Sequence, residues 1–340
     1  MRDNYKAWGI DLGDFEQLED DSKRLGFLLR FAVLAPSSHN SQPWQFLIKD
    51  GDIIIKPDFS RALKSSDANN RQLYISLGCA LANLLVAAEY YNYQTSFNIE
   101  KASSENYQII IKLKRENSEE KPDKLIKLIT ERVTNRNKHT KIEEIDSSFI
   151  REIAEKYGPN FKLELVEDKP RLLKIADLSI QAGIKAMEDA GFRQELSQYV
   201  KNNTTKAYTG MPCFGMGIPT PISYFAPVMI KLLNMNKLSE KSDRNLLENQ
   251  TQALLIISSK VDDIPNWIIT GKIYQEISLG ALSRDLFTSP MAGIIQIGNY
   301  YQNLQEILQT DFRPQFFCRL GHTEKKVHHS PRLPVEKVLT

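Results

Sequence analysis

The sequence is poor in cysteine. Cys79, Cys213 and Cys318 are the only three in 340 residues, far apart and with no C-x-x-C pair. An odd, scattered set argues against a disulfide scaffold and against a thiolate zinc site. Of the five histidines, His39, His139, His322, His328 and His329, only the last two are adjacent, which is weak as a metal site. No charge dominates: 44 Lys plus Arg against 42 Asp plus Glu leaves +2. A dedicated nucleic-acid binder would carry a clustered basic excess, so nucleic acid is excluded as the main partner, while a local basic pocket for a phosphate is not. No stretch reads as the roughly 20 apolar residues that span a bilayer. The opening MRDNYKAWGIDLGDFEQLED has no apolar core of a secretory signal. The expectation is a soluble, cytoplasmic chain with no membrane partner. The signatures G-x-S-x-G, H-E-x-x-H and G-x-x-x-x-G-K-[ST] are also missing. Gly215-Met216-Gly217 lacks a third glycine and follows no strand, which disfavours a dinucleotide fold.

What is present suits a globular protein: 41% hydrophobic and 25% charged residues. The length predicts two domains or lobes. Apolar spacing predicts a helix from about Ser22 to Leu34, stopped at Ala35-Pro36. Trp44 to Ile48 and Asp52 to Lys56 read as a hairpin around Asp50-Gly51. Arg71 to Tyr91 and Ile264 to Phe287 read as long apolar helices with small residues for close packing. Strands are expected at Tyr107–Lys114, Phe161–Val166, Ala253–Ser258 and Phe316–Leu320, and a further helix over Arg171–Ala190. The charged run Glu116–Lys124 is the best boundary between halves. Thr209 to Pro221, rich in Gly and Pro, reads as loop or lid, and the basic tail after His322 as wrapping over another surface. Without a regular βαβ rhythm the class is α+β. The halves share ingredients, and aligning the long helices by apolar pattern sets Gly78 opposite Gly271. A degenerate internal duplication is the implied origin.

Three segments stand out. Ala35-Pro-Ser-Ser-His-Asn-Ser-Gln-Pro-Trp44 crowds hydroxyls and amides between a buried helix and a Trp-led strand. It reads as a helix stop and polar turn, or, better for so many donors, as a binding loop for a planar, polar-edged ring. Arg132-Val-Thr-Asn-Arg136 sets two arginines and a hydroxyl where a phosphate would suit them. A solvated basic helix end explains the same residues equally well. Ser330-Pro-Arg332-Leu-Pro334 holds a tail arginine between prolines, either to complete a phosphate site or as ordinary basic tail.

Taken in order, these segments resemble the FMN-dependent nitroreductase superfamily, and within it the single-chain, two-lobed Acg-like branch. Residues 35–44 look like that family's flavin-side loop. Arg61-Ala62-Leu63, Asp67 and Arg71–Asn83 look like the segment that follows it, and Arg132-x-Thr-Asn-Arg136 like its phosphate segment. Phe192–Leu196, Gly210-Met-Pro212, Pro314-Gln315, Arg319–Gly321 and Ser330–Pro334 fit the remainder.

The resemblance implies a nitroreductase-like fold of two fused lobes, 1–120 and 121–340, with a lid near 209–236 carrying Phe214 and Met216. It implies a flavin cofactor between the lobes: Pro36, Ser37, Ser38, Asn40 and Gln42 against the ring, and Arg132, Thr134, Arg136 and Arg332 on the phosphate. Ser289, Pro290 and Met291 would lie near flavin N5. No residue is implied as catalytic and none as a metal ligand, because the flavin carries the chemistry. The first half has no R-x-[ST]-x-R at its own start, so one FMN per chain is expected. The implied activity is hydride transfer from NADPH or NADH through FMN to a nitroaromatic, quinone or similar acceptor. The alternative is an FMN-sequestering protein whose covered flavin turns over little. The chain would be a monomeric pseudo-dimer or a homodimer.

Overall fold

The computed structural model describes residues 2–103, 106–116, 125–140, 144–234, 236–324 and 327–340. The boundary expected at 116–124 therefore lies, beyond Glu116, outside the described residues. In the first half, α1 (Asp21–Ala32) leads to β1 (Trp44–Lys49) and β2 (Asp52–Pro57). Asp50 and Gly51 take φ of 53° and 83° at the turn, the left-handed pair that a two-residue hairpin needs. Then come α2 (Arg71–Tyr90), β3 (Tyr93–Lys101) and β4 (Tyr107–Arg115). The four strands form one antiparallel sheet in the order β1-β2-β4-β3. Strand β3 was not expected: beyond Tyr93, Phe97 and Ile99 its side chains are polar, so its pattern reads as loop.

The second half opens with α3 (Leu125–Glu131), α4 (Ser148–Tyr157) and β5 (Phe161–Val166). A long excursion follows: α5 (Lys169–Glu188), α6 (Ala190–Tyr199), the short pair β6 (Val200–Lys201) and β7 (Met211–Pro212), α7 (Thr220–Ser223), α8 (Ala226–Leu232) and α9 (Asn236–Asn249). The segment expected to be loop at 209–221 thus carries a strand and the start of a helix. The chain closes with β8 (Ala253–Ser259), α10 (Ile264–Leu282), β9 (Leu286–Met291), α11 (Gly293–Gln296), α12 (Tyr300–Leu308) and β10 (Arg313–His322). The long helix stops at Leu282, not Phe287, because the chain turns at Asp285 (φ 54°) into β9. Pro290 is tolerated there because β9 is an edge strand.

The second sheet runs β5-β8-β10-β9, antiparallel throughout. Its order repeats that of the first: two strands, a long helix, then two strands whose later member inserts beside the second. The two long helices, α2 and α10, pack on each other at the centre. Helix α2 has the length and apolar character of a membrane-crossing segment, but most of it is buried inside the fold. This corrects the reading that no stretch has such character: a helix apolar on all sides is also what a protein core requires. Arg71 on α2 pairs with Asp262 just before α10 at 2.5 Å and lies 4.6 Å over Trp267, tying the halves together. The tail returns to the first half, as its wrapping character suggested. Phe46 donates to the Val338 carbonyl at 2.7 Å and accepts from Thr340 at 2.8 Å, so the tail pairs alongside β1.

Candidate functional site

The loop after α1 is conformationally unusual. His39, Asn40 and Gln42 all have φ between 51° and 54°, a left-handed region that costs a non-glycine residue about 1–3 kcal/mol. Its geometry is held from several sides. The Gln42 amide donates to Ser37 Oγ at 2.9 Å. Asn40 Nδ2 donates to the carbonyls of Gly210 (3.0 Å) and Pro331 (2.9 Å). Gln42 Nε2 donates to Tyr208 O at 2.7 Å, and Gln42 Oε1 accepts from Leu333 N at 2.8 Å. Asn40 and Gln42 therefore face the excursion and the tail and shape the loop from behind.

The front of the loop opens on a cavity of about 320 Å³ between the halves, within the size range of small-molecule sites. Pro36, Ser37, Ser38 and His39 form one wall. Thr134 and Arg136 form another, and Pro290, Met291 and Ala292 at the end of β9 a third. Gln72, Ile75, Ser76 and Cys79 of α2, with Tyr274 and Phe316, make the floor. The last two rings stand 4.1 Å apart. Met211 and Met216 of the excursion complete the lining. Of the residues singled out from the sequence, Pro36, Ser37, Ser38, Thr134, Arg136, Pro290 and Met291 thus meet at one place. Ser289 is buried in β9 opposite Arg319 and does not line the cavity. Phe214 turns away, edge-on to His328 at 5.7 Å.

The four α2 residues were missed, although 72, 75, 76 and 79 are one helical face in sequence. Tyr274 and Phe316 were missed because nothing local to them signals a wall, and His39, though inside the loop singled out at 35–44, was not among the residues set against the ring. Burial lowers the His39 pKa to about 4, against a raising effect of Glu195. Its imidazole is therefore neutral, with Nδ1 buried and without a hydrogen-bond partner. Cys79, which donates to Gly271 O at 3.3 Å, is pushed up to about 12 by burial and is no nucleophile.

Arg132 and Arg332 lie beside this site but deeper, each about 3% exposed. Both reach the Leu34 carbonyl at the end of the α1 segment at 3.3 Å. Arg332 also donates to Asn40 Oδ1 at 2.7 Å and lies 4.9 Å over the Trp8 ring. Arg132 Nε and Nη1 and Arg332 Nε are buried with no partner. Neither arginine has a carboxylate partner among the described residues. Burial, then the neighbouring Arg132, pushes Arg332 well below its ordinary pKa. Arg136, half-buried, is lowered by burial too, and its Nη2 contacts Met211 sulfur at 3.9 Å. Buried charges normally come paired. Two unopposed buried arginines with free donors, and a third, Arg136, at the cavity wall, are what an anion site looks like. No group of three or more His, Cys, Asp or Glu suited to a metal occurs among the described residues.

No family model matches the chain. Over 80 residues it is 34% identical to two proteins of Mycobacterium tuberculosis that carry the provisional name NAD(P)H nitroreductase, Rv3131 of strain H37Rv and MT3217 of strain CDC 1551. The match spans 23% of this chain and 23% of each relative, so under a quarter of their length is matched. The FMN and NADPH-dependent nitroreductase NfnB from Sphigopyxis sp. strain HMH superposes with a TM-score of 0.43 at 15% identity, over 64% of this chain and 98% of that one. The FMN-dependent nitroreductase NfnB from Mycobacterium smegmatis, in complex with NADPH, gives 0.39 at 11%, over 62% and 94%.

Proposed function

We propose that this chain is a nitroreductase-like, FMN-binding oxidoreductase taking electrons from NADPH or NADH, a reading supported by its local 34% identity to two proteins named as NAD(P)H nitroreductases. The observation that carries the reading is the convergence of two sequence-distant segments, 36–38 and 134–136, on one cavity, with unopposed buried arginines at its side. FMN fits this set: Arg132, Arg332 and Arg136 offer donors to a phosphate, and the hydroxyls and amides of Ser37, Ser38 and Thr134 suit the polar edge of a flavin ring. Bound there, FMN would supply the two-electron chemistry that no side chain of the cavity can. The chain's own work is to hold the ring, to neutralise its phosphate and to keep water off one face through the apolar floor of Ile75, Tyr274 and Phe316. A nitroaromatic or quinone of modest size, stacked on the open face of the ring, is the acceptor we propose.

We read the chain as two fused units, 1–120 and 121–340, with 209–236 as the cover. The repeated strand order supports this. One flavin per chain follows. The second half joins its helix to its first strand through Gly158-Pro159-Asn160 alone, where the first half has the whole loop of residues 33–43. Lys272, which follows Gly271 as Cys79 follows Gly78, is buried against Glu276 Oε1 at 2.5 Å and Tyr157 where a second floor would be.

One observation favours a second reading, that of a sequestering protein: Met211 and Met216 of the excursion line the cavity. Anaerobic addition of NADPH or NADH to the FMN-loaded protein separates the two. Bleaching of the flavin band is expected. No bleaching with either donor removes the reductase and leaves sequestration, whereas a chain that takes up no FMN on titration removes both.

A further inference from the structure

A second cavity, of about 400 Å³, is lined by the N-terminal segment, the excursion and the tail, and shares no lining residue with the first. Its walls are aromatic: Tyr5, Trp8, Phe214, His328 and His329. His329 is already stacked on Trp8 at 3.9 Å, while Phe214 and His328 meet edge to face. Arg2 stands at the rim, and no carboxylate lines the space among the described residues. Arg332 lies 4.9 Å over the Trp8 ring, and the charges of Arg332 and Arg132 both act on His329. The potential is therefore positive and the surface is built for stacking.

Two polar atoms there are buried without a partner. Asn203 contributes Oδ1, its Nδ2 being engaged with the Ile218 carbonyl at 3.0 Å. His329 contributes Nε2. Its other ring nitrogen faces the backbone carbonyls of Thr130 and Glu131, which call for the proton there and leave Nε2 an acceptor. Two idle acceptors on residues that line an aromatic, basic cavity suit a ligand with a ring, N–H donors and negative charge.

We propose that this second cavity binds an adenine nucleotide, its ring against Phe214 and His328, its exocyclic amine toward Asn203 Oδ1 and His329 Nε2, and its phosphate toward Arg2. The site is separate from the one assigned to FMN. It makes the chain responsive to a nucleotide whether or not the flavin reading holds.

Isothermal titration of the full chain with AMP, IMP and inorganic phosphate, with and without FMN added first, tests this. AMP is expected to bind at one site in both states. IMP, with a carbonyl in place of the amine, should bind at least ten-fold more weakly, since a site built for a donor rejects an acceptor. His329→Phe, which keeps the stack on Trp8 and removes Nε2, should weaken AMP to a similar degree. Equal affinity for AMP, IMP and phosphate would reduce the site to a simple anion patch and overturn the proposal. Stoichiometric displacement of AMP by FMN, or no heat with AMP, overturns it as well. The wild-type AMP and IMP comparison stands even where the variant fails to fold.

Discussion

Gly78 of α2 and Gly271 of α10 are reciprocal contacts at the centre of the molecule. A Cβ on Gly78 would stand 1.9 Å from the Ile268 carbonyl oxygen, and one on Gly271 1.8 Å from that of Ile75. Each glycine receives the backbone three residues before the other, as a local two-fold relation between the helices demands. Both obstacles are backbone, so neither can swing aside. Gly78→Ala or Gly271→Ala should destabilise the fold by about 3 kcal/mol or more, above the usual range for overpacking a side-chain core. Denaturant midpoints measure it. Gly26→Ala, where nothing lies within 4 Å of the added carbon, serves as the control and should be neutral or better. Tolerance of alanine at both central positions would mean that the helices do not meet this closely.

The unopposed arginines give an opposite sign for stability and for binding. Arg132 brings a buried charge with two idle donors into the FMN-free chain. Arg132→Met keeps the bulk and removes the charge, so the FMN-free protein should be as stable or more stable, by up to a few kcal/mol. FMN affinity should fall ten-fold or more, the loss of about 1.5–3 kcal/mol from one charge-assisted contact. Thermal unfolding and flavin fluorescence titration read the two separately. A loss of stability with FMN affinity unchanged would make Arg132 a structural residue and remove the clamp.

Stability should also fall with acid, for a reason visible in three histidines. Burial lowers His39 to about 4. Burial, then Arg319 and His322, lowers His139 to about 3. Burial, then Arg132 and Arg332, lowers His329 to about 4. Each is neutral in the fold and titrates near 6.5 when unfolded, so the unfolded chain binds more protons below that value. Their contribution is complete above about pH 6.5 and is lost as the pH falls toward about 4. His139 carries the plainest case, because its Nδ1 accepts from the Gln252 amide at 3.1 Å and cannot do so once protonated. His139→Gln should flatten the slope of urea midpoints between about pH 7 and pH 5. An unaltered slope would place the acid sensitivity elsewhere.

Much of this was legible beforehand for physical reasons. The residue before Pro36 is pushed out of the helical region, so the end of α1 was readable to within a few residues, and Asp50-Gly51 makes a hairpin by local chemistry alone. The long helices were readable because their apolar character is dense, and α2 is dense enough to pass for a membrane segment. Strand β3 was not, because its alternation shows only at Tyr93, Phe97 and Ile99, and β9 was not, because a proline in an edge strand looks like its end. The site was half readable. Ser37 and Asn40 are equally polar in sequence, and only the left-handed turn at His39 and Asn40 decides that one side chain faces the cavity and the other faces away. The Arg332 partnership with Asn40 spans most of the chain and leaves no local trace.

That partnership gives a last prediction. Asn40 is held at the point where loop, excursion and tail meet, donating to Gly210 O and Pro331 O and accepting from Arg332. Asn40→Ala strips all three at once and leaves two buried carbonyls without this donor, each worth about 1–3 kcal/mol when unsatisfied. Arg332 loses this side-chain acceptor in the same step and is freed to leave its place over Trp8. The expected result is a chain destabilised by a few kcal/mol whose FMN dissociates faster. Asn40→Asp separates the two effects. It keeps an acceptor for Arg332 and adds a charge that pairs with it, while losing the donor to Gly210 and Pro331. Stability should then recover in part, but FMN affinity should not, since the new carboxylate competes with the phosphate for the same guanidinium. Stopped-flow release of FMN and denaturant midpoints for the two variants decide it. Equal FMN retention in Asn40→Asp and the native chain would show that Arg332 takes no part in holding the anion.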